Sequence, residues 1–304
     1  MPETLSGVLP VVPTIFSKSE DLDMAGYRRV LDYLIDAGSD GLCILANYSE
    51  QFSLTDSERA EVLETTMAHV GGRVPVIVTT SHYSARVAAE RSLHAQELGA
   101  SMVMLMPPFF GATMKVGDAE ILEFFRRVAD GLTIDIMIQD APMSTSPLSV
   151  ELLTRVAQEI PQVRYAKIEV PRAADKLRSL AAVAGDSLPG LFDGEEGVTL
   201  IPDLEAGAVG AMTSALIPDR VGTIVRDFHA GDRVAAREAW EAILPLIHFE
   251  NRQCGLAAAK IVLQAGGVIE SDLTRWPLAP VSAASRQGLI DLARRNDALA
   301  LRWA

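Results

Sequence analysis

The sequence is poor in the residues that announce several common functions. It holds two cysteines, Cys43 and Cys254, in apolar surroundings and at no metal-ligand spacing, which reads as buried thiols in a reducing compartment rather than a disulfide. No apolar stretch reaches the roughly 18–20 residues that cross a bilayer. The start, Met1-Pro2-Glu3-Thr4, lacks the charged and apolar regions of a secretory signal. Basic charge is short too: the formal net charge is −13 and the pI is near 4.9, against the basic footprint of a nucleic-acid binder. A soluble cytoplasmic protein with neither nucleic-acid nor membrane partners is expected. In so acidic a chain, an anionic substrate must be held by a local device.

What is present is a regular alternation. Apolar runs of strand length occur at 8–14, 41–45, 74–80, 101–106, 134–140, 164–170, 190–194 and 208–214. Amphipathic segments of helix length lie near 24–37, 55–69, 84–98, 118–130, 149–159, 173–183, 196–206 and 219–229. Continuous apolar strands separated by helices indicate a parallel sheet covered on both faces. Gly38, Gly99 and Gly207 each follow a helical pattern and precede a strand, where a helix exit needs them. Eight such units predict a (β/α)8 TIM barrel over 1–231, with a C-terminal helical extension over 232–304 packed on it. A doubly wound open sheet would carry a Gly-rich turn after its first strand, and Pro13 to Phe16 contains no glycine.

Lysine is the scarce residue that carries most meaning, at five positions: Lys18, Lys115, Lys167, Lys176 and Lys260. By pattern, Lys18, Lys115 and Lys176 fall in polar loops or on helix faces. Lys260 sits in a helical stretch beyond the repeats, where structural use is expected. Lys167 stands within the strand pattern Arg164 to Val170. Burial there disfavours an ammonium, and a neutral amine is the nucleophile of Schiff-base chemistry.

In a barrel the active site collects at the C-terminal strand ends. The candidates are Thr14, Ala46 to Glu50, Ser81 to Tyr83, Pro107 to Phe110, Gln139-Asp140, Lys167 to Glu169, Asp193 to Glu196 and Thr213-Ser214. Alternation along a strand puts Tyr165, Lys167 and Glu169 on one face, so an amine adjoins a carboxylate able to move protons. The competing use is an ion pair that only holds the core. His82 follows the third strand, but no second histidine lies at ligand spacing, so no metal is expected. Met102, Met104 and Met106 alternate as packing residues. Phe109-Phe110 would cover a pocket or meet another subunit.

Lys167-Ile168-Glu169 on the sixth strand resembles the Lys-Glu motif of the dihydrodipicolinate synthase and N-acetylneuraminate lyase superfamily, and the resemblance spans nearly the whole chain. It implies a (β/α)8 barrel with C-terminal helices, an imine on Lys167 and no cofactor. The family's carboxylate-binding loop, Gly-Thr-Thr-Gly-Glu, appears as Ala46-Asn47-Tyr48-Ser49-Glu50; its Tyr-Asn-x-Pro motif appears as Gln139-Asp140-Ala141-Pro142. An amide at 139 can be neither acid nor base, and Ser144 stands where the lysine-biosynthesis enzyme has arginine. The stretches Asp40 to Gln51, Pro75 to Thr80 with His82-Tyr83, Ile138 to Pro142, Asp193 to Glu196 and Glu250 to Gln253 are most similar to the superfamily's dehydratases of five-carbon 2-keto-3-deoxy sugar acids.

The resemblance therefore implies a dehydratase of a small 2-keto acid. Lys167, Glu169, Gln139 and Tyr48 would be catalytic; Asn47, Ser49, His82, Asp193 and Thr213 would bind substrate. It also implies a homotetramer. Three alternatives stay open: a class I aldolase releasing pyruvate and an aldehyde, a dehydratase of six-carbon acidic sugar acids, and a barrel that binds a keto acid without chemistry.

Overall fold

The structure, a computed structural model, describes residues 4–109, 116–144, 146 and 148–304. Phe110, Lys115 and the first three residues, all named above, lie outside the described residues. Strand and helix alternate eight times: β1 Gly7–Val8, α1 Met24–Asp36, β2 Leu42–Ile44, α2 Asp56–Val70, β3 Val76–Thr79, α3 Ala85–Glu97, β4 Met102–Leu105, α4 Asp118–Ala129, β5 Asp135–Asp140, α5 Val150–Glu159, β6 Val163–Ile168, α6 Ala173–Ala184, β7 Gly190–Asp193, α7 Leu200–Glu205, β8 Gly210–Ala211 and α8 Pro218–His229. Three further helices close the chain, α9 Arg233–Phe249, α10 Ala258–Ala265 and α11 Ala283–Arg295. No helix among the described residues is long and apolar enough to cross a membrane.

The strands are shorter than the apolar runs that predict them, for local reasons. The run 8–14 yields only β1 and a bridge from Val11 to Cys43. Pro10 and Pro13 have no N–H to give a ladder. Pairing passes around them: the Cys43 N–H donates to the Pro10 carbonyl at 2.9 Å, and the Val12 N–H to the Cys43 carbonyl at 2.8 Å. The helix expected from 196 begins only at Leu200. Glu196 and Gly197 take left-handed φ of 53° and 88°, which turns the chain out of helical geometry.

The chain divides into two compact units. The first comprises Met1–Ser6, Val76–Glu195 and Thr199–Ala211; the second, Gly7–Pro75, Glu196–Val198 and Met212–Ala304. In the first, β3 to β8 pair in sequence, every neighbour parallel. Its helices are amphipathic with a 3.6-residue period. Thus α4 buries Ile121, Leu122, Phe124, Phe125 and Val128, and pairs Glu123 with Arg126 and Arg127 on the exposed face. Between Ile136 and Met137 the β5–β6 register slips by one residue, so that Ile136 faces Val163 while Met137 faces Tyr165. Arg164 is the extra residue of this bulge. Beyond it Gln139 pairs with Lys167, and Asp140 with Ile168.

The second unit holds β1, β2, α1, α2 and the helices from α8 onward. Entry to α2 is fixed by a capping box: Glu58 N–H donates to Thr55 Oγ1 at 3.2 Å, and Thr55 N–H donates back to Glu58 Oε2 at 2.8 Å. At its far end, α9 runs into a π-turn, Glu250–Cys254.

Candidate functional site

The parallel register brings three of the predicted residues together at the ends of β5 and β6. Lys167 is buried and forms an ion pair with Glu169 Oε1. Gln139 Nε2 donates to the same oxygen at 2.8 Å. Glu169 is itself placed by its N–H, which donates to the Asp140 carbonyl at 3.0 Å and extends the β5–β6 ladder past β6. Its carboxylate is therefore oriented by two donors from adjacent strands. Gln139 is 1% exposed and its Oε1 has no hydrogen-bond partner. A buried amide oxygen left without a donor is costly, so it is poised to accept from a water or a substrate hydroxyl.

Gly194, just past β7, closes this cluster from the side. Its N–H donates to the Ile168 carbonyl at 3.1 Å. A Cβ there would collide with the Glu169 stem and stand 2.9 Å from Lys167 Cγ. Only glycine leaves both side chains their conformations at this approach.

Asp193, at the end of β7, is fully buried and hydrogen-bonds Asp203, which also accepts from Thr199 Oγ1 at 2.7 Å. Burial raises the Asp203 pKa, and its hydrogen bonds with Asp193 and Thr199 oppose that rise. Asp203 was not anticipated from sequence; it sits in the short α7, whose apolar pattern gave no hint of a buried acid. His82 lies in the loop after β3, its Nδ1 accepting from the Ser84 N–H at 3.0 Å.

The remaining predicted residues lie on the second unit. Asn47, Tyr48 and Ser49 form a single 3₁₀ turn that ends at Glu50 in a left-handed conformation, φ 55°. Ser49 Oγ donates to the Val12 carbonyl at 2.6 Å and accepts from the Ala46 N–H at 3.1 Å. Asn47 Oδ1 accepts from Gln51 Nε2 at 2.7 Å. Both side chains thus help to hold the turn's own shape. Thr213 is buried and donates to the Ser214 carbonyl at 3.0 Å.

Three charged clusters escaped the sequence reading. Lys176, read as a helix-face residue, is only 15% exposed and reaches Asp140 Oδ2 at 2.6 Å. Lys260 and Glu50 form a fully buried pair. Glu250, in the π-turn, is buried against Ser214, and one carboxyl oxygen has no partner. Burial pushes its pKa from 4.5 up to about 7. A carboxyl raised in this way holds its proton longer when folded, so its stabilising share is complete below pH 4.5 and is lost as pH rises to about 7. The loss approaches about 3 kcal/mol. Glu250→Gln is expected to remove that dependence and to unfold at higher urea than the parent at pH 8. Equal midpoints for the two proteins at pH 8 would contradict it.

The chain is similar to known proteins in sequence and in fold. A sequence profile of the Dihydrodipicolinate synthetase family matches residues 4–295. An L-2-keto-3-deoxyarabonate dehydratase of Azospirillum brasilense is 53% identical over 98% of this chain and 96% of its own length. A 4-hydroxy-tetrahydrodipicolinate synthase of Methanococcoides burtonii is 27% identical over 92% of this chain and 94% of its own. The crystal structure of dihydrodipicolinate synthase from Aquifex aeolicus superposes with a TM-score of 0.89 at 23% identity, covering 96% and 98% of the two chains. The fold is the (β/α)8 barrel with C-terminal helices that the strand and helix pattern predicts.

Proposed function

Because this chain belongs to the dihydrodipicolinate synthetase family, we propose that it is a lyase that dehydrates L-2-keto-3-deoxyarabonate to 2-oxoglutarate semialdehyde through an imine on Lys167. The observation that carries this reading is the cluster of buried Lys167 and Gln139 with half-buried Glu169, in which the carboxylate contacts both the amine and the amide. The 53% identity to a dehydratase of that name supports the substrate.

Lys167 passes its proton to its ion-pair partner Glu169 and attacks the C2 carbonyl; Glu169 returns that proton to the departing carbinolamine hydroxyl, and loss of water gives an iminium, which acidifies the C3 protons. Glu169 removes one of them, giving an enamine. Its electrons expel the C4 hydroxyl, protonated as it leaves. Loss of a C5 proton and reprotonation at C3 then move the unsaturation outward to an enol, which becomes the terminal aldehyde. Hydrolysis frees Lys167. The imine is the electron sink, so the reading needs no cofactor.

Gln139 favours dehydration over carbon–carbon cleavage. A retro-aldol step must deprotonate the C4 hydroxyl, whereas dehydration must protonate it as it departs. An amide cannot serve as that base. Its unpartnered Oε1 suits the orientation of a water or of the departing hydroxyl instead. Binding of the substrate carboxylate at Asn47 and Ser49, proton handling by Tyr48, and substrate contacts at His82, Asp193 and Thr213 are proposed on family likeness. So are a cytoplasmic location and a homotetramer, the latter readable by light scattering.

Proton NMR of the purified protein with 2-keto-3-deoxy-L-arabonate tests the reading, with 2-oxoglutarate semialdehyde as the expected product. Pyruvate with glycolaldehyde would make the chain an aldolase. Glu169→Gln is expected to keep borohydride-trappable imine while losing about 100- to 10,000-fold in turnover, the usual share of general acid–base catalysis. Parallel loss of trapping and turnover would remove Glu169 from proton transfer.

A further inference from the structure

Beside the proposed reaction centre lies a second lysine–acid pair that the mechanism above does not use. Asp140 is the last residue of β5, one position after Gln139, and is 3% exposed. Lys176, in the first turns of α6, places Nζ 2.6 Å from Asp140 Oδ2 and also donates to the Leu148 carbonyl. Asp140 interacts electrostatically with Glu169 as well, and its backbone carbonyl receives the Glu169 N–H. Two carboxylates and two ammonium-forming amines therefore occupy adjoining ends of β5 and β6: Lys167 and Glu169 on one side, Asp140 and Lys176 on the other. Burial pushes the Asp140 carboxyl above its ordinary range; the Lys176 contact opposes that push without cancelling it, and the Glu169 carboxylate adds to it.

We propose that Lys176 and Asp140 are positioning residues that set the charge state of Glu169, with Lys176 cancelling the negative field that Asp140 would otherwise impose on the proton-transferring carboxylate. The inference rests on the reading of Lys167 as the imine former and Glu169 as its base. Like charges in a buried site raise each other's pKa, and a nearby cation lowers both. With Lys176 in place, Glu169 meets Lys167, the Gln139 amide and an Asp140 whose charge has a cation beside it. Without Lys176, Asp140 is a buried carboxyl with no cation. It then either takes up a proton, which leaves the cluster's net charge as it was, or keeps its charge, which then acts uncompensated on Glu169.

The second contact of Lys176, with Leu148, ties the same amine to the segment that leads into α5. A purely structural role would act through that tie, so the test must separate charge from shape. The acidic limb of kcat/KM against pH does so, because it follows ionisation of the base in the free enzyme. Lys176→Met is expected to move that limb up by about one pH unit or more, the usual effect of one nearby charge. Asp140→Asn keeps the side-chain shape and removes the opposing charge, so the limb should move down. The double variant should return close to the parent limb, and Lys176→Arg should hold it.

Borohydride trapping of a 2-keto acid on each variant is measured alongside. Trapping in all of them, with opposite limb shifts in the two single variants, supports the inference. Trapping with an immobile limb overturns it while leaving the imine mechanism intact. Failure of the parent protein to trap overturns the mechanism and this inference together.

Discussion

Lys167→Ala is expected to remove turnover of 2-keto-3-deoxy-L-arabonate altogether, a fall on the order of 10⁶-fold, as when other enzymes lose a covalent nucleophile. The variant should also form no adduct with a 2-keto acid and borohydride. Lys176, the other lysine described at this end of the sheet, is committed to Asp140 and Leu148. Lys167→Arg should fare no better, since a guanidinium stays protonated and does not form the imine. Neither change should unfold the protein, because Glu169 keeps the Gln139 donor and Gly194 leaves room around the stem. A variant with unchanged circular dichroism and more than about one-thousandth of parental turnover, set against that expected loss, would sink the imine mechanism.

The largest stability effect is expected from Lys260→Met. Lys260 and Glu50 have fully buried side chains. Nζ lies 4.5 Å from the centre of the Phe16 ring and donates to the Leu273 carbonyl at 3.0 Å. Burial pulls the Lys260 pKa below the ordinary lysine range, while Glu50 pulls it back. The other Glu50 oxygen accepts the Arg275 backbone N–H at 3.0 Å, and the Arg275 guanidinium lies over the Phe16 ring, its Cζ 4.3 Å from the centre. Removing the amine leaves a carboxylate inside the protein with one backbone donor, at a cost of about 3–5 kcal/mol. Adding Glu50→Gln to Lys260→Met should recover much of that loss, because the charge that needed a partner is gone. Urea midpoints for both single variants and the double variant form the cycle. If Lys260→Met alone shifts the midpoint by less than about 1 kcal/mol equivalent, the surface-like value, the pair contributes no more than an exposed one.

The order of elements was readable in the sequence because each strand is a continuous apolar run and each helix a 3.6-residue pattern. Lys167 was readable for the same reason, as one amine interrupting such a run. Strand ends were less so. Pro10 and Pro13 trim β1, and left-handed Glu196 delays α7; both effects depend on which backbone groups find partners. The charged partners were hidden for a different reason. Lys176 and Asp140 are 36 residues apart, and Lys260 and Glu50 are 210 apart, distances over which no local pattern carries information. In a helix that follows a catalytic strand, however, the first turns lie at the strand's C-terminal end, and that topological rule would have marked Lys176.

The slip at Arg164 gives the reaction centre a dependence on parity. Side chains along a strand alternate between two faces, so one residue more or fewer inverts every position beyond it. The bulge between Ile136 and Met137 is what sets Gln139 opposite Lys167. With Arg164 kept and the slip lost, Gln139 would fall opposite Ala166 instead of Lys167, and the amine would turn to the other face. An evolutionary or engineered graft of this lysine–acid motif onto another barrel therefore has to carry the register along with the residues themselves.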